Sequence, residues 1–329
     1  MSVQAIKMTF ADALHIGRGA DELDKTATTY GSDALKSALY AVGLPYYLAW
    51  QQNPQQFFKG FRISSAFPYC GNNYFLPKPA NMQFRFAQTE QSAEAKKAKK
   101  ISHISSRLFA QWAAQPNTPV AVEETQIGDG AFIFEKGQAS KQFIYTTVQQ
   151  RVAVAFDGSQ DSRPFYFERM FFTPDSGLYF LIQFNDPALQ PQVMHALQLL
   201  ADMGIGTDRT VGNGQFTASE PQPFALPNSQ AQGRQMPLGL YLPTKAELDS
   251  IDLEQSSWGL IKRGGYMAAA EHETHRSLRK NSIYFFTEGS SFTSQQPLQG
   301  KVENLRPKNY NDDTLHPIWR CGMPLFINL

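Results

Sequence analysis

Apolar and polar residues alternate through Ile6, Lys7, Met8, Thr9 and Phe10, the period of two that marks a strand with one buried face. The strand runs on through Leu14-His15-Ile16-Gly17. After a polar loop the period changes. Ser32-Asp33 opens Ala34-Leu35-Lys36-Ser37-Ala38-Leu39-Tyr40, and Gly43 and Pro45 close it, which predicts a helix with Ser32 or Asp33 as its N-cap. Over Glu94–Trp112, residues Ala98, Ile101, Ser105, Leu108 and Trp112 share one face while Lys96, Lys97, Lys99, Lys100 and Arg107 crowd elsewhere. That spacing predicts one basic amphipathic helix, whose charges serve either as a solvated face or as phosphate contacts. Val193, Ala196, Leu197, Leu200 and Met203 predict another helix over residues 190–203.

Ala131–Phe134 and Gln142–Tyr145, separated by Gly137, read as hairpin arms, and Arg151–Val154 continues extended. Phe165–Phe172 and Leu178–Phe184 are two strongly apolar strands joined by Thr-Pro-Asp-Ser-Gly. Phe61–Tyr69 and Tyr74–Pro79 hold prolines and aromatics that suit loops or edge strands. Strand, helix, two hairpin strands, helix and strand spell βαββαβ, an α+β unit of ferredoxin-like or RRM-like topology. It spans residues 1–218, with a large insertion at about 46–160 between the first helix and the second strand. Residues 219–237, rich in Pro, Gln and Ser, read as a linker. A second unit over 238–329 offers the strand Leu238–Leu242, a Thr244-x-x-Glu247 capping box, and strands at Trp258–Met267, Ile283–Phe286 and Pro324–Asn328. It is read as a degraded second copy of the same fold.

The stretch Gly204–Phe216 carries Gly204, Gly206, Gly212 and Gly214 within eleven residues. Glycine reaches positive φ at little cost and admits another main chain closely, and consecutive exposed amides can cradle anionic oxygens. The neighbour is therefore phosphate or a partner backbone, or else the loop is an elaborate helix stop and turn. It is neither a Walker A loop, lacking Gly-Lys-Ser/Thr, nor a Rossmann loop, whose third glycine would fall at Arg209. Its order, helix then loop then strand, is the reverse of both.

A net charge of +1 over 329 residues excludes nucleic-acid binding over the whole surface and confines any such binding to local patches. The 25 Phe and 13 Tyr supply core or stacking platforms. Cys70 and Cys321 form no Cys-x-x-Cys pair, no apolar leader precedes the first strand, and no apolar run reaches membrane length; these point to a cytoplasmic protein without a membrane span. No cofactor motif is present. His272-Glu-Thr-His275 is one residue short of His-Glu-x-x-His, so no metal is expected. His15 is either a general base toward an RNA 2′-hydroxyl, with Lys36 or Tyr30 nearby, or a locally bonded histidine. Lys262-Arg263-Gly264-Gly265-Tyr266 unites two cations, a permissive backbone and a ring, as phosphate contact with base stacking requires; the same residues also suit a strand ending in a bulge.

Leu14-His-Ile-Gly17, Ser32-Asp-Ala-Leu35, Ala66-Phe-Pro-Tyr69 with Leu76-Pro-Lys-Pro79, the Gly204–Phe216 loop, and Lys262–Tyr266 together resemble the RAMP superfamily of CRISPR proteins. Within it they are similar to the fourth subunit of type III-A (Csm) effector complexes. The glycine loop marks the superfamily, whereas the Phe-Pro-Tyr/Leu-Pro-Lys-Pro and Lys-Arg-Gly-Gly blocks point to this subunit. The resemblance reaches Arg320–Phe326 and implies two ferredoxin-like domains with a thumb formed by the insertion. It implies a non-catalytic subunit that holds the 5′ handle of the CRISPR RNA, docks on the large polymerase-like subunit and adjoins a backbone RAMP subunit. Gly204, Gly206, Arg209, Gly212, Gly214, Lys262, Arg263 and Tyr266 would face RNA, with His15 and Ser32 near the same groove. Ala155-Phe156-Asp157 stands where an Asp-Arg pair is expected, so no contact is assigned there. Three other readings stay open: a metal-independent repeat endoribonuclease using His15, the equivalent subunit of a type III-B complex, and a scaffold whose glycine loop meets only protein.

Overall fold

The computed structural model describes residues 2–18, 22–86, 91–116, 118–138, 140–153, 162–227, 233–267, 278–307 and 316–329. Strand β1 (Gln4–Thr9) buries Ile6 and Met8 on one face, as their alternation predicts. Helix α1 (Ser32–Gly43) buries Leu35, Lys36, Leu39 and Gly43, the i, i+3, i+4 stripe of a helix lying on a sheet. Two short helical segments, Leu48–Gln52 and Pro54–Gly60, pack Trp50, Phe57 and Phe58 beneath α1. Then come β2 (Phe61–Ile63), β3 (Phe67–Cys70) and β4 (Asn73–Pro77). Helix α2 (Gln91–Lys100), β5 (His103–Ser105) and α3 (Ser106–Ala114) follow.

The single helix expected over Glu94–Trp112 is therefore broken. Ile104 sits between Leu76 of β4 and Ile133 in paired strands, and Ser105 caps α3 by accepting from Leu108 N at 3.3 Å. Sheet pairing and a cap override the helical period.

Strands β6 (Ile144–Ala153) and β7 (Arg163–Phe172) pair with each other in a ten-residue antiparallel ribbon. Phe165–Phe172 is thus not the sheet neighbour of β8 (Ser176–Phe184), nor are Ala131–Phe134 and Gln142–Tyr145 two arms of one hairpin. Phe132–Ile133 pairs instead with Ile127–Gly128 and β5. The places beside β8 go to β2 and β3, within the stretch the sequence assigns to the insertion: Ile182 faces Ile63, and Leu178 faces Pro68. Between β2 and β3 the Ser64 hydroxyl accepts from Leu181 N at 2.9 Å and fills the ladder. Helix α4 (Gln190–Met203) buries Val193, Ala196, Leu197 and Leu200, and β9 (Thr217–Ala218) returns along β1. The order across this sheet is β9-β1-β8-β3-β4-β5.

One face of the sheet, through Ile6, Met8, Leu178, Phe180 and Ile182, meets α1 and α4. The other, through Ala5, Phe67, Tyr69, Tyr179 and Leu181, meets α3 and the C-terminal residues Met236, Leu238, Leu325 and Ile327. That double burial explains why β8 is apolar throughout.

The stretch read as a linker contributes Gln222–Pro223, paired with β1, and β10 (Arg234–Pro237). Then come α5 (Lys245–Ser250), β11 (Ile251–Ser257), β12 (Leu260–Arg263), β13 (Ile283–Phe286), β14 (Ser291–Ser294), β15 (Trp319–Cys321) and β16 (Phe326–Asn328). The strand expected over Trp258–Met267 divides at Trp258-Gly259, β11 pairing with β14 and β12 with β13. The larger C-terminal sheet runs β11-β14-β10-β16. Among the described residues its one helix is α5, six residues long, with the expected capping box at Thr244 and Glu247, so a second βαββαβ count is not completed there. The architecture is a mixed α+β one of several sheets. Among the described residues no helix is long and apolar enough to cross a membrane.

Candidate nucleic-acid interface

Helix α4 stops at Gly204, whose φ of 77° turns the chain back while its N–H still bonds Leu200 O. The loop then folds onto the segment that prolongs β1. Ile205 N donates to Gly214 O at 2.9 Å, Gly214 N to Ala13 O at 2.9 Å and Thr207 N to His15 O at 3.1 Å. A Cβ on Gly204 would stand 2.9 Å from Asn213 O, one on Gly206 would overlap His15 O, and one on Gly214 would overlap Ile205 O. Three of the four glycines thus serve close approach of the protein's own main chain. Gly212 differs: it is left-handed at φ 85°, exposed, and has open space where a Cβ would lie. The amides of Gly204, Gly212 and Gly214 are all spent on internal carbonyls, so those three do not form an anion nest.

The loop's side chains diverge. Asp208 turns toward the β6–β7 hairpin, while Arg209 is exposed. His15 is 2% exposed and packs against Phe167 with ring centroids 4.3 Å apart and the planes tilted by 31°. Its Nδ1 lies 2.7 Å from Glu168 O; a carbonyl only accepts, so Nδ1 carries the proton. Nε2 is buried without a partner among the described residues. Ser32 is also buried: its hydroxyl accepts from Leu240 N at 2.9 Å and its N–H bonds Ser65 Oγ at 2.9 Å, which joins α1 to the C-terminal part.

Lys262 and Arg263, adjacent in sequence, leave opposite faces of β12, as strand alternation requires. Lys262 is exposed opposite Tyr284. Arg263 turns inward to Asp33, Nη2 to Oδ1 at 3.5 Å. Gly31 makes room for this pair, because a Cβ there would stand 2.6 Å from Arg263 Nη2 and 2.7 Å from Asp33 Oδ1. Tyr266 is exposed, with the Arg279 guanidinium over its ring at 5.0 Å.

Around Asp33 the two halves of the chain bring together a cationic cluster. Arg320 Nη1 donates to Asp33 O at 3.3 Å. Burial, then Asp33, push the Tyr30 hydroxyl upward against the pull of Arg320, Arg209 and Arg263, so three guanidiniums and one carboxylate act on one phenol. Burial also raises the Glu288 carboxyl, to which the Ser65 hydroxyl donates and on which Arg263 and Asp33 act in opposite directions. Burial, with Arg320 beside it, pushes the Lys280 ammonium down from 10.5 to about 8, Asp33 opposing. The folded protein therefore binds fewer protons than the unfolded chain between about 8 and 10.5, and stability rises with pH across that window. Thermal melts over this range are expected to show the rise in the wild type and a smaller one in Lys280→Met; equal slopes would contradict the assignment.

Sequence reasoning found Arg209 and Arg263 but not Arg320, Lys280 or Asp33 as their companions, since nothing local to those residues announces a contact across the chain. The His272–His275 pattern and Ala155–Asp157 lie outside the described residues. Among the described residues no group of three or more His, Cys, Asp or Glu is placed to hold a metal ion.

Residues 230–329 match the family model described as the CRISPR Csm4 C-terminal domain. Over 338 residues, all of this chain and 99% of the relative, the sequence is 26% identical to the Csm4 protein of the CRISPR system of Streptococcus thermophilus. The fold is similar to a chain in the crystal structure of the Csm3-Csm4 subcomplex of the type III-A CRISPR-Cas interference complex, with a TM-score of 0.67, 18% identity and 99% of each chain covered. It is also similar to a chain of the Csm1-Csm4 cassette crystallised with cA4, with a TM-score of 0.62, 18% identity, and 100% and 98% coverage.

Proposed function

From the premise that this chain belongs to the Csm4 family of type III CRISPR-Cas proteins, we propose that it is a non-catalytic subunit of a type III-A effector complex that holds the 5′ handle of the CRISPR RNA. The observation that carries this reading is the gathering of Arg209, Arg263 and Arg320 about Tyr30 and Asp33, with Lys280 beside Arg320 and Asp33, a local basic patch on a chain of net charge +1. Arginine forks fit phosphate oxygens, and such contacts position RNA without reading its sequence. Tyr266, exposed beyond the end of β12, adds a ring suited to stacking, whereas Lys262 and Tyr284 lie on the face of the β12–β13 pair away from Arg263.

The buried His15 ring, its Nδ1 proton committed to a carbonyl, supports a structural histidine over a general base, which must reach the proton it removes. We read the N-terminal unit as ferredoxin-like, from the order β9-β1-β8-β3 with α1 and α4 on one face, and the β6–β7 ribbon as its thumb. Partners follow from the relatives: a large Csm1-type subunit and a Csm3-type backbone neighbour. The exposed strip of Trp258, Leu260 and Tyr284 suits such a protein contact.

The test is binding of a handle-bearing RNA, against one with the handle shuffled, to the protein co-purified with its large subunit at one fixed salt concentration. Denaturing gels without metal are run on the same samples. Handle preference with intact RNA is expected, and Arg263→Ala and Arg320→Ala should each weaken binding while lowering the logarithmic salt slope by about 0.7. Cleaved RNA would install the nuclease reading instead, and indifference to the handle would leave a scaffold.

A further inference from the structure

The β6–β7 ribbon is rooted where Leu14 and Met170 exchange both backbone hydrogen bonds at 2.8 Å. One carboxylate then ties it to the glycine loop. Asp208 Oδ1 accepts from Arg151 Nη1 at 3.1 Å, and Oδ2 accepts from Arg151 Nη2 at 2.9 Å and from Asn213 Nδ2 at 2.7 Å. The Arg151 guanidinium also lies 4.5 Å from the centre of the Phe167 ring, so its orientation is fixed twice over.

Arg169 occupies the same face of the ribbon, by the pairing of Thr147 with Arg169 and of Arg151 with Phe165. It approaches the same Oδ2 only to 3.8 Å, and that oxygen already accepts from two nearer donors. Its Nε is buried without a hydrogen-bond partner among the described residues. Two guanidiniums thus share one carboxylate unequally. Arg151 is satisfied, Arg169 is not, and the group keeps a net positive charge. A guanidinium with unmet donors matches a phosphate oxygen in charge and geometry.

We propose that Arg169 binds a backbone phosphate of RNA at the root of the ribbon, and that Asp208 is a positioning residue that keeps Arg151 turned inward and leaves Arg169 for the RNA. The proposal rests on the reading of the preceding subsection, in which RNA passes Arg209. Asp208 and Arg209 are consecutive and face opposite ways, so a strand leaving Arg209 along the loop next meets the ribbon root. The proposal puts this phosphate on the guide side of the handle.

Two RNAs test this at several salt concentrations on the co-purified complex: the handle alone, and the handle extended by a short guide segment. Arg169→Gln is expected to weaken the extended RNA about tenfold and to lower its salt slope by about 0.7, leaving the handle alone unchanged. Arg169→Lys should restore the slope without the full affinity, since a point charge lacks the fork. Asp208→Asn, which frees Arg151 and removes the carboxylate opposing Arg169, should tighten the extended RNA and raise its salt slope by about 0.7 while leaving the handle alone unchanged; an unchanged slope would mean that Asp208 does not hold Arg151 back. An Arg169→Gln protein that binds the extended RNA with wild-type affinity and slope, while handle binding persists, would overturn the proposal alone. An equal loss on both RNAs would do the same, because it would mark a general structural effect. Failure of the wild type to bind either RNA would overturn the handle reading and this proposal together.

Discussion

Gly214→Ala is expected to lower the unfolding free energy by about 3 kcal/mol or more, whereas Gly212→Ala costs about 1–2 kcal/mol. Both glycines are left-handed, at φ 78° and 85°, so both variants carry the backbone penalty of an L-residue there. Only at Gly214 would the added Cβ also overlap a carbonyl, that of Ile205, while Gly212 faces open space. The loop cannot relax freely, since Gly214 N is bonded to Ala13 O and Gly214 O accepts from Ile205 N. Urea denaturation of the two variants side by side checks the difference. Equal losses would mean that the close approach of Gly214 to the Ile205 carbonyl is not what holds the loop.

The second large effect is two-sided. Asp33→Asn should destabilise the protein by about 2 kcal/mol and yet tighten RNA binding roughly fivefold. Breaking a buried ion pair costs more than this when both charges are enclosed; here Asp33 is enclosed but the Arg263 side chain is 29% exposed, and the cost is discounted accordingly. The gain in affinity comes from removing the carboxylate that opposes Arg209, Arg263 and Arg320. At an effective dielectric near 20, and screened by salt, that is worth about 1 kcal/mol toward a bound phosphate. Denaturation and RNA titration at one salt concentration measure the two halves separately. A carboxylate with only a packing role would lower stability and leave affinity unchanged.

Where the sequence repeats a period, its reading matches the structure. β1, α1, β8 and α4 lie where Ile6/Met8, Leu35/Leu39, Leu178–Phe184 and Val193/Leu200 placed them, because one buried face writes its own spacing into the chain. Pairing leaves no such mark. Phe165–Phe172 has the same apolar, β-prone character whether it pairs with β8 or with β6, and only the fold chooses between them. Over Glu94–Trp112 the helical period was genuine on both sides of His103–Ser105, but three residues recruited by β4 carried no local warning.

At the interface, glycine content disclosed an unusual main chain without disclosing its neighbour, which is largely residues 13–15. The divergence of Lys262 and Arg263 could have been read from strand alternation alone. Arg320 and Lys280 could not, since their role exists only once the C-terminal strands close on α1.

That closure has a kinetic consequence. The face of the sheet formed by Phe67, Tyr69, Tyr179 and Leu181 is covered by Met236, Leu238, Leu325 and Ile327. During translation this apolar face is complete long before its cover leaves the ribosome, an interval on the order of ten seconds at ordinary elongation rates. Throughout that interval the nascent chain presents a sticky, half-built core. Messages cut short before codon 325 would yield an aggregating product rather than a smaller stable domain.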